Sequence, residues 1–310
     1  MKKYLLKRFL QALAVIFAIS LITFFVLNIV PGNPVEIMLG EFADQATIAR
    51  VTHEMGLDQP IHIQYFNWLT NMLHGDFGVS YFQRRDVLDI LMSCFAVTAK
   101  LAGIAYILAV VLGVVVGVVA AVNRGKWIDS ALMTVSVIGI SAPAFWIAII
   151  LQIFICLKLK LLPLSGIETF SAFILPGIAL GTRYAASIAR ITRTSMLEVL
   201  SQDYIRTAQA KGLKYWTVVI KHALRNALIP IITIAGSDLG NILTGSVLVE
   251  SVFNIPGIGK MLVDSINVRD LPIVQGGVMY IAIICVIMYL IVDILYAVVD
   301  PRIRLGKEPE

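Results

Sequence analysis

The chain has 310 residues, 58% hydrophobic and 15% charged, against roughly 25% charged in an ordinary soluble domain. Its apolar residues come in long uninterrupted runs, which exclude a pair of water-soluble domains and leave one helical membrane domain. The formal net charge of +5 sits beside the apolar runs with no long basic tract, so nucleic-acid binding is excluded and the cations read as topology signals.

A helix rises 1.5 Å per residue, so about 20 apolar residues cross a hydrocarbon core of roughly 30 Å. The first such run, residues 9–30, follows Lys2, Lys3, Lys7 and Arg8. A signal peptide opens the same way, but this run is too long and no small-residue cleavage site follows, so an uncleaved span is expected. Residues 31–95 carry eight carboxylates (Glu36, Glu41, Asp44, Glu54, Asp58, Asp76, Asp86, Asp89) against Arg50, Arg84 and Arg85. Such an acidic excess suits an external segment of short helices and turns.

Five further spans are expected at residues 96–122, 128–157, 172–191, 227–249 and 277–299. Pro143 and Pro176, in or beside spans, mark kinks. The clusters Lys2 to Arg8, Arg124 with Lys126, Arg193 to Arg225, and Arg302 with Arg304 and Lys307 all fall on one side, which puts both termini in the cytoplasm. Cys94, Cys156 and Cys285 have neither metal spacing nor an even-numbered framework. The expected fold class is an all-α polytopic membrane protein of about six transmembrane helices. It divides into residues 1–30 (cytoplasmic end and first span), 31–95 (external segment) and 96–310 (membrane core). The core includes a cytoplasmic loop, 192–226, and an external scoop-like loop, 251–276.

Within the cytoplasmic loop, residues 203–225 read DYIRTAQAKGLKYWTVVIKHALR, a pattern of helix, glycine, helix. Asp203 is expected to cap the first helix, Ala208 and Ala210 keep its surface small, and Gly212 suits a left-handed turn. Tyr204, Ala208, Leu213 and Trp216 would give a partner protein apolar contact, with Arg206, Lys211 and Lys214 as a polar rim. The residues alone equally allow a helix lying on the membrane surface, with Trp216 at the interface.

This stretch resembles the "EAA" loop of ABC-importer permeases at Ala208, Gly212 and Leu224, while His222 and Arg225 stand where that family usually has Ile and Pro. In that departure it resembles the dipeptide, oligopeptide and nickel subgroup, whose segment reads RTAxAKG followed by a KHALRNA-like run. GLDQP (residues 56–60), HGDFGVS (74–80), VLVESVFNIPGIGKMLVDSINVRDLPIVQG (247–276) and VDPRIR (299–304) extend the likeness over nearly the whole chain. The resemblance implies a type I importer permease in the cytoplasmic (inner) membrane of a prokaryote. Its implied partners are a second homologous permease, two cytoplasmic ATPases that bind ATP and Mg, and an extracytoplasmic substrate-binding protein. No cofactor is implied for this chain. Peptide permeases, including those for glutathione-like tripeptides, are more similar than nickel permeases, which remain the alternative.

A charge in mid-bilayer costs about 2.5–3.5 kcal/mol on insertion scales, so a retained one faces a bundle interior or an aqueous cavity. On the fifth span Asp238, Asn241 and Gly245 recur at i, i+3 and i+7 beside Ser237 and Thr244, which makes this face the candidate pore lining; helix packing through small and polar residues is the competing explanation. Glu250 is placed at the external end, facing a cavity mouth or a delivery protein, or simply at the interface. Asp293 is expected to pair with Arg183 or Arg190. In the scoop-like loop, Asn254, Pro256, Gly257 and Gly259 favour tight turns, followed by a short amphipathic stretch over residues 261–266.

Catalytic constellations fail by inspection. Gly257 to Lys260 lacks the Ser or Thr and the first Gly of a phosphate loop, since Met261 and Asn254 stand there. His53-Glu54 lacks its second histidine because position 57 is Leu57. No metal site is assigned. An ion-coupled secondary transporter would show inverted repeats, and none is found between the halves. An intramembrane hydrolase would need a base for Ser141, and no intramembrane histidine follows it.

Overall fold

Long apolar helices dominate because a bilayer offers the backbone no hydrogen-bond partners, and a helix satisfies its own. The computed structural model describes residues 2–29, 34–39, 43–244 and 246–299. In chain order the helices are α1 (Lys2–Ile29), α2 (Pro34–Leu39), α3 (Gln45–Glu54), α4 (Ile61–Leu73), α5 (Val87–Val122), α6 (Trp127–Ser141) and α7 (Ala144–Leu151). They continue with α8 (Ile174–Leu200), α9 (Asp203–Ala210), α10 (Tyr215–Thr217), α11 (Arg225–Thr244), α12 (Val247–Val252), α13 (Ile258–Asn267) and α14 (Leu271–Val299). Wider π-turns follow α7, at Gln152–Lys158, and α10, at Val218–Leu224. Among the described residues there is no strand, only an isolated bridge between Val79 and Asp86.

Among the described residues, five helical stretches have the length and composition to cross a membrane: Arg8–Leu27, Val87–Val122, Phe170–Leu200, Tyr215–Ile242 and Leu271–Val292. The expected third span, residues 128–157, is not one rod: Trp127–Ser141 and Ala144–Lys158 meet at 107°. The cause is local. Pro143 disfavours the helical region for the residue before it, and Ala142 is extended at φ −77, ψ 130. The boundary expected at residue 95 also falls inside a helix, because α5 starts at Val87 and runs for 36 residues. At about 54 Å it outreaches the hydrocarbon core.

The chain forms two compact units, residues 1–97 with 256–290, and residues 98–255 with 291–310. In the first, α1 meets α4 through Phe24, Tyr65 and Trp68, with Ser20 Oγ and Tyr65 Oη 2.9 Å apart. The rest of α1 exposes Phe9, Leu10, Leu13 and Phe17, a lipid-type surface. Buried Asp270 fixes the loop before α5: it accepts from Ser80 Oγ at 2.5 Å and from the Tyr81 N–H at 3.3 Å. Burial, and then the Asp270 charge, push the Tyr81 hydroxyl up to about 12. Val87, Ile90, Leu91, Ile258, Met261 and Ile273 form the core of this unit.

In the second unit α8 is the central helix, and glycine sets its spacing from α5. A Cβ on Gly113 would stand 2.7 Å from Ile188 Cβ, one on Gly117 2.5 Å from Thr192 Cβ, and one on Gly181 2.7 Å from the Ala105 carbonyl oxygen. Each helix therefore offers a small-xxx-small face, Gly113/Gly117 and Gly177/Gly181, and the backbones touch. α6, α7 and α11 pack on the other sides of α8. At the start of α6, Asp129 is buried and held by Arg193 of α8 in a bidentate pair, Nε to Oδ1 at 2.6 Å and Nη2 to Oδ2 at 2.7 Å.

Candidate functional site

Helical periodicity divides α8 into faces. Gly177, Gly181, Ile188, Ala189 and Thr192 are buried, whereas Arg183, Arg190, Thr194 and Glu198 are exposed and Ser187 is half-buried. Positions 183, 187, 190, 194 and 198 recur at i, i+4, i+7, i+11 and i+15, so one stripe of the helix is polar from mid-span to its end. α11 repeats the arrangement. Asn226, Pro230, Thr233 and Asn241 are exposed and Ser237 is half-buried, at the same spacing, while Ala227, Ile231, Ala235, Asp238 and Ile242 lie on its buried face.

The exposed face of α5 shows what a lipid-facing surface of this chain looks like: Ile107, Val111, Leu112 and Val115. An arginine facing hydrocarbon would cost about 2.5–3.5 kcal/mol on insertion scales, so the stripe of α8, with Arg183 and Arg190, belongs against water or a polar partner surface; the uncharged stripe of α11 is milder, its Thr233 hydroxyl donating to the Ile229 carbonyl as that of Thr194 does to Arg190 on α8.

These faces correct the expected pore lining in one respect. Ser237 and Asn241 do lie on the exposed stripe of α11, but Asp238 is turned away from it, 8% exposed and grouped with the apolar positions. Its Oδ2 has no hydrogen-bond partner among the described residues, and Arg183 of α8 is near enough to act on its charge. The Thr244 side chain and Gly245 lie outside the described residues, as does the Asp293 side chain expected to pair with Arg183 or Arg190. The sequence offers Arg183 only as a partner for Asp293 and does not single out Ser187, Thr194 or Thr233. The i, i+4, i+7 spacing of α8 was the available signal.

Glu250 departs from its expected place as well. The fifth span ends at Thr244, and Glu250 lies on the separate short helix α12, with 0% exposure. It accepts from Thr98 Oγ1 at 2.7 Å and from Ser246 Oγ at 2.8 Å. A carboxylate so enclosed ties α12 to α5 and does not face an open cavity mouth.

Residues 203–225 form the expected helix, turn and helix. α9 ends at Ala210, Gly212 takes φ 74, and α10 leads into the π-turn. Two details differ. The N-cap is Gln202, and Asp203 occupies the first turn, where a carboxylate suits the helix dipole, 3.7 Å from Arg206. Ala208 is buried together with Ile205 against Val218, Val219 and Met196, so the pair anchors α9 to the chain's own core. Tyr204, Arg206, Ala210, Lys211, Leu213, Lys214, Tyr215 and Trp216 remain exposed, and Asn226 Nδ2 donates to Tyr204 Oη at 2.8 Å. The outward surface is therefore aromatic and basic.

In the scoop-like loop Asn254 makes the turn at φ 51 and Ile255 N–H bonds back to the Glu250 carbonyl at 2.8 Å. Gly257 caps α13, which starts earlier than the expected amphipathic stretch, and Gly259 is buried inside that helix, not in a turn. Pro256 is exposed just before the cap. Lys260, of the phosphate-loop-like run, is engaged with Asp264 at 2.5 Å.

Comparison with known proteins agrees along the whole chain. Residues 113–305 match the family "Binding-protein-dependent transport system inner membrane component", and residues 1–102 match its N-terminal counterpart. The glutathione transport system permease proteins GsiC of Salmonella typhimurium and of Escherichia coli K12 are each 41% identical over 304 residues, covering 98% of this chain and 99% of theirs. Among solved structures, the inward-facing MetNI methionine ABC transporter superposes with TM-score 0.54 at 20% identity, over 68% of this chain and 96% of that one. An amino acid ABC transporter solved with histidines gives 0.51 at 18%, over 69% and 94%. At those identities the two structures speak for the fold alone. A polar face on two membrane helices, an aromatic and basic outer surface on the α9–α10 loop, and family matches over both halves lead to one assignment: this chain belongs to the inner membrane components of binding-protein-dependent transport systems and is a permease subunit of an ABC importer.

Proposed function

We propose that the importer carries short peptides, glutathione-type tripeptides among them, into the cytoplasm. The observation that carries this reading is the end-to-end similarity to glutathione permeases. Both termini and the α9–α10 loop lie in the cytoplasm, as the distribution of Lys and Arg requires. Two ATPase subunits, which bind ATP and Mg, dock on Leu213, Tyr215, Trp216 and the surrounding cations. A second permease closes the pathway against the polar faces of α8 and α11, and an extracytoplasmic binding protein delivers substrate to the external loops. ATP-driven approach of the ATPases moves α9, and because Ile205 and Ala208 are buried beside Met196 of α8, that motion reaches the helix bearing the polar stripe. The cavity thereby alternates between outward-facing and inward-facing states.

The test is ATP-dependent uptake by the assembled complex in proteoliposomes, comparing labelled di- and tripeptides with labelled nickel, with and without binding protein. Peptide uptake that needs both ATP and binding protein is expected. Nickel uptake alone moves the chain to the metal branch.

A further inference from the structure

We propose that Arg183 and Arg190, two turns apart on the exposed stripe of α8, form a two-point site for the carboxylates of a peptide in transit. This deepens the peptide reading and rests on it. Both side chains are exposed on one face of a membrane-spanning helix. Arg183 lies about 13 Å along the axis from Ile174, deep in the span, and Arg190 about 10 Å further. Among the described residues neither closes an ion pair within 4.0 Å.

A guanidinium is always charged, and its planar fork matches a carboxylate bidentately. An extended α-linked tripeptide spans at most about 10–11 Å and the γ-linked glutathione somewhat more, long enough for its two carboxylates to reach two arginines about 10 Å apart along the helix. Glutathione has a carboxylate at each end and one ammonium, so it is a net anion at neutral pH. The stripe thus offers cations at the depth and spacing such a molecule needs, with Ser187 between them as a neutral hydrogen-bonding group.

Uptake of glutathione and of its carboxamide analogues is measured with the assembled complex carrying wild-type chain, Arg183→Gln, Arg190→Gln or Arg183→Lys. Charge-assisted hydrogen bonds of this kind correspond to about tenfold or more in affinity. Each Gln variant should raise KM for glutathione by about that factor and KM for the carboxamides by less, so that the preference for acid over carboxamide shrinks. Arg183→Lys should keep the preference. Equal losses for acid and carboxamide, or an unchanged preference, overturn the site. A wild-type complex that imports no peptide contradicts the peptide reading and the site with it.

Discussion

At the scale of single residues, burial separates charges that the sequence treats alike. Asp129, Asp238 and Glu250 are all buried, yet only Asp129 has a bidentate arginine. Removing one partner of such a pair strands the other, which costs about 3 kcal/mol or more, whereas removing both is far milder. Arg193→Ala should therefore lower the thermal stability of the purified complex markedly, and Arg193→Ala with Asp129→Ala should recover much of the loss. Equal instability of the single and double variants would show that the pair does not act as a unit. Asp129 escaped the sequence reading because its partner is 64 residues away. Asp238 and Asn241 were read as one face because three residues make nearly a full turn. The remaining offset of about 60° is enough to bury one and expose the other.

At the scale of elements, α9 and its glycine turn are the most legible part of the chain. Helix, αL turn and helix were all written in residues 203–225, because Gly212 is needed at φ 74. What the sequence did not show is which side of α9 faces inward, since small alanines suit a core and an interface equally. A Cβ at Gly212 would meet nothing within 4 Å, so a larger side chain there costs the isolated chain only the backbone penalty, about 1–2 kcal/mol. Gly212→Leu should thus insert into the membrane normally yet uncouple ATP hydrolysis from uptake, because the added bulk would project into the proposed ATPase contact. Normal coupled uptake by this variant would remove α9–α10 from that contact. The break at Pro143 was legible only as a kink: proline identifies where a helix is interrupted, while a 107° turn depends on what each half packs against.

For the molecule as a whole, composition and run length were sufficient for a helical membrane protein, since hydropathy reports directly on the bilayer as solvent. They were insufficient for the interior, because within a bilayer apolar residues face lipid and neighbouring helices alike. Close packing of α5 on α8 shows up as glycine pairs, and the proposed pathway as polar residues left over once the packed faces are assigned. That remainder, the stripes of α8 and α11, is the central claim, and thiol labelling tests it most directly. In a complex whose Cys94, Cys156 and Cys285 have been replaced, single cysteines are placed by Ser187→Cys and Thr233→Cys, and by Ile107→Cys and Val111→Cys on the apolar face of α5. A thiol reacts only as its thiolate, which requires water. A membrane-impermeant thiol reagent should modify positions 187 and 233 at rates that change when ATP is added, and leave 107 and 111 untouched. Labelling absent at 187 and 233, or no faster there than at 107 and 111, would contradict a pathway along these helices.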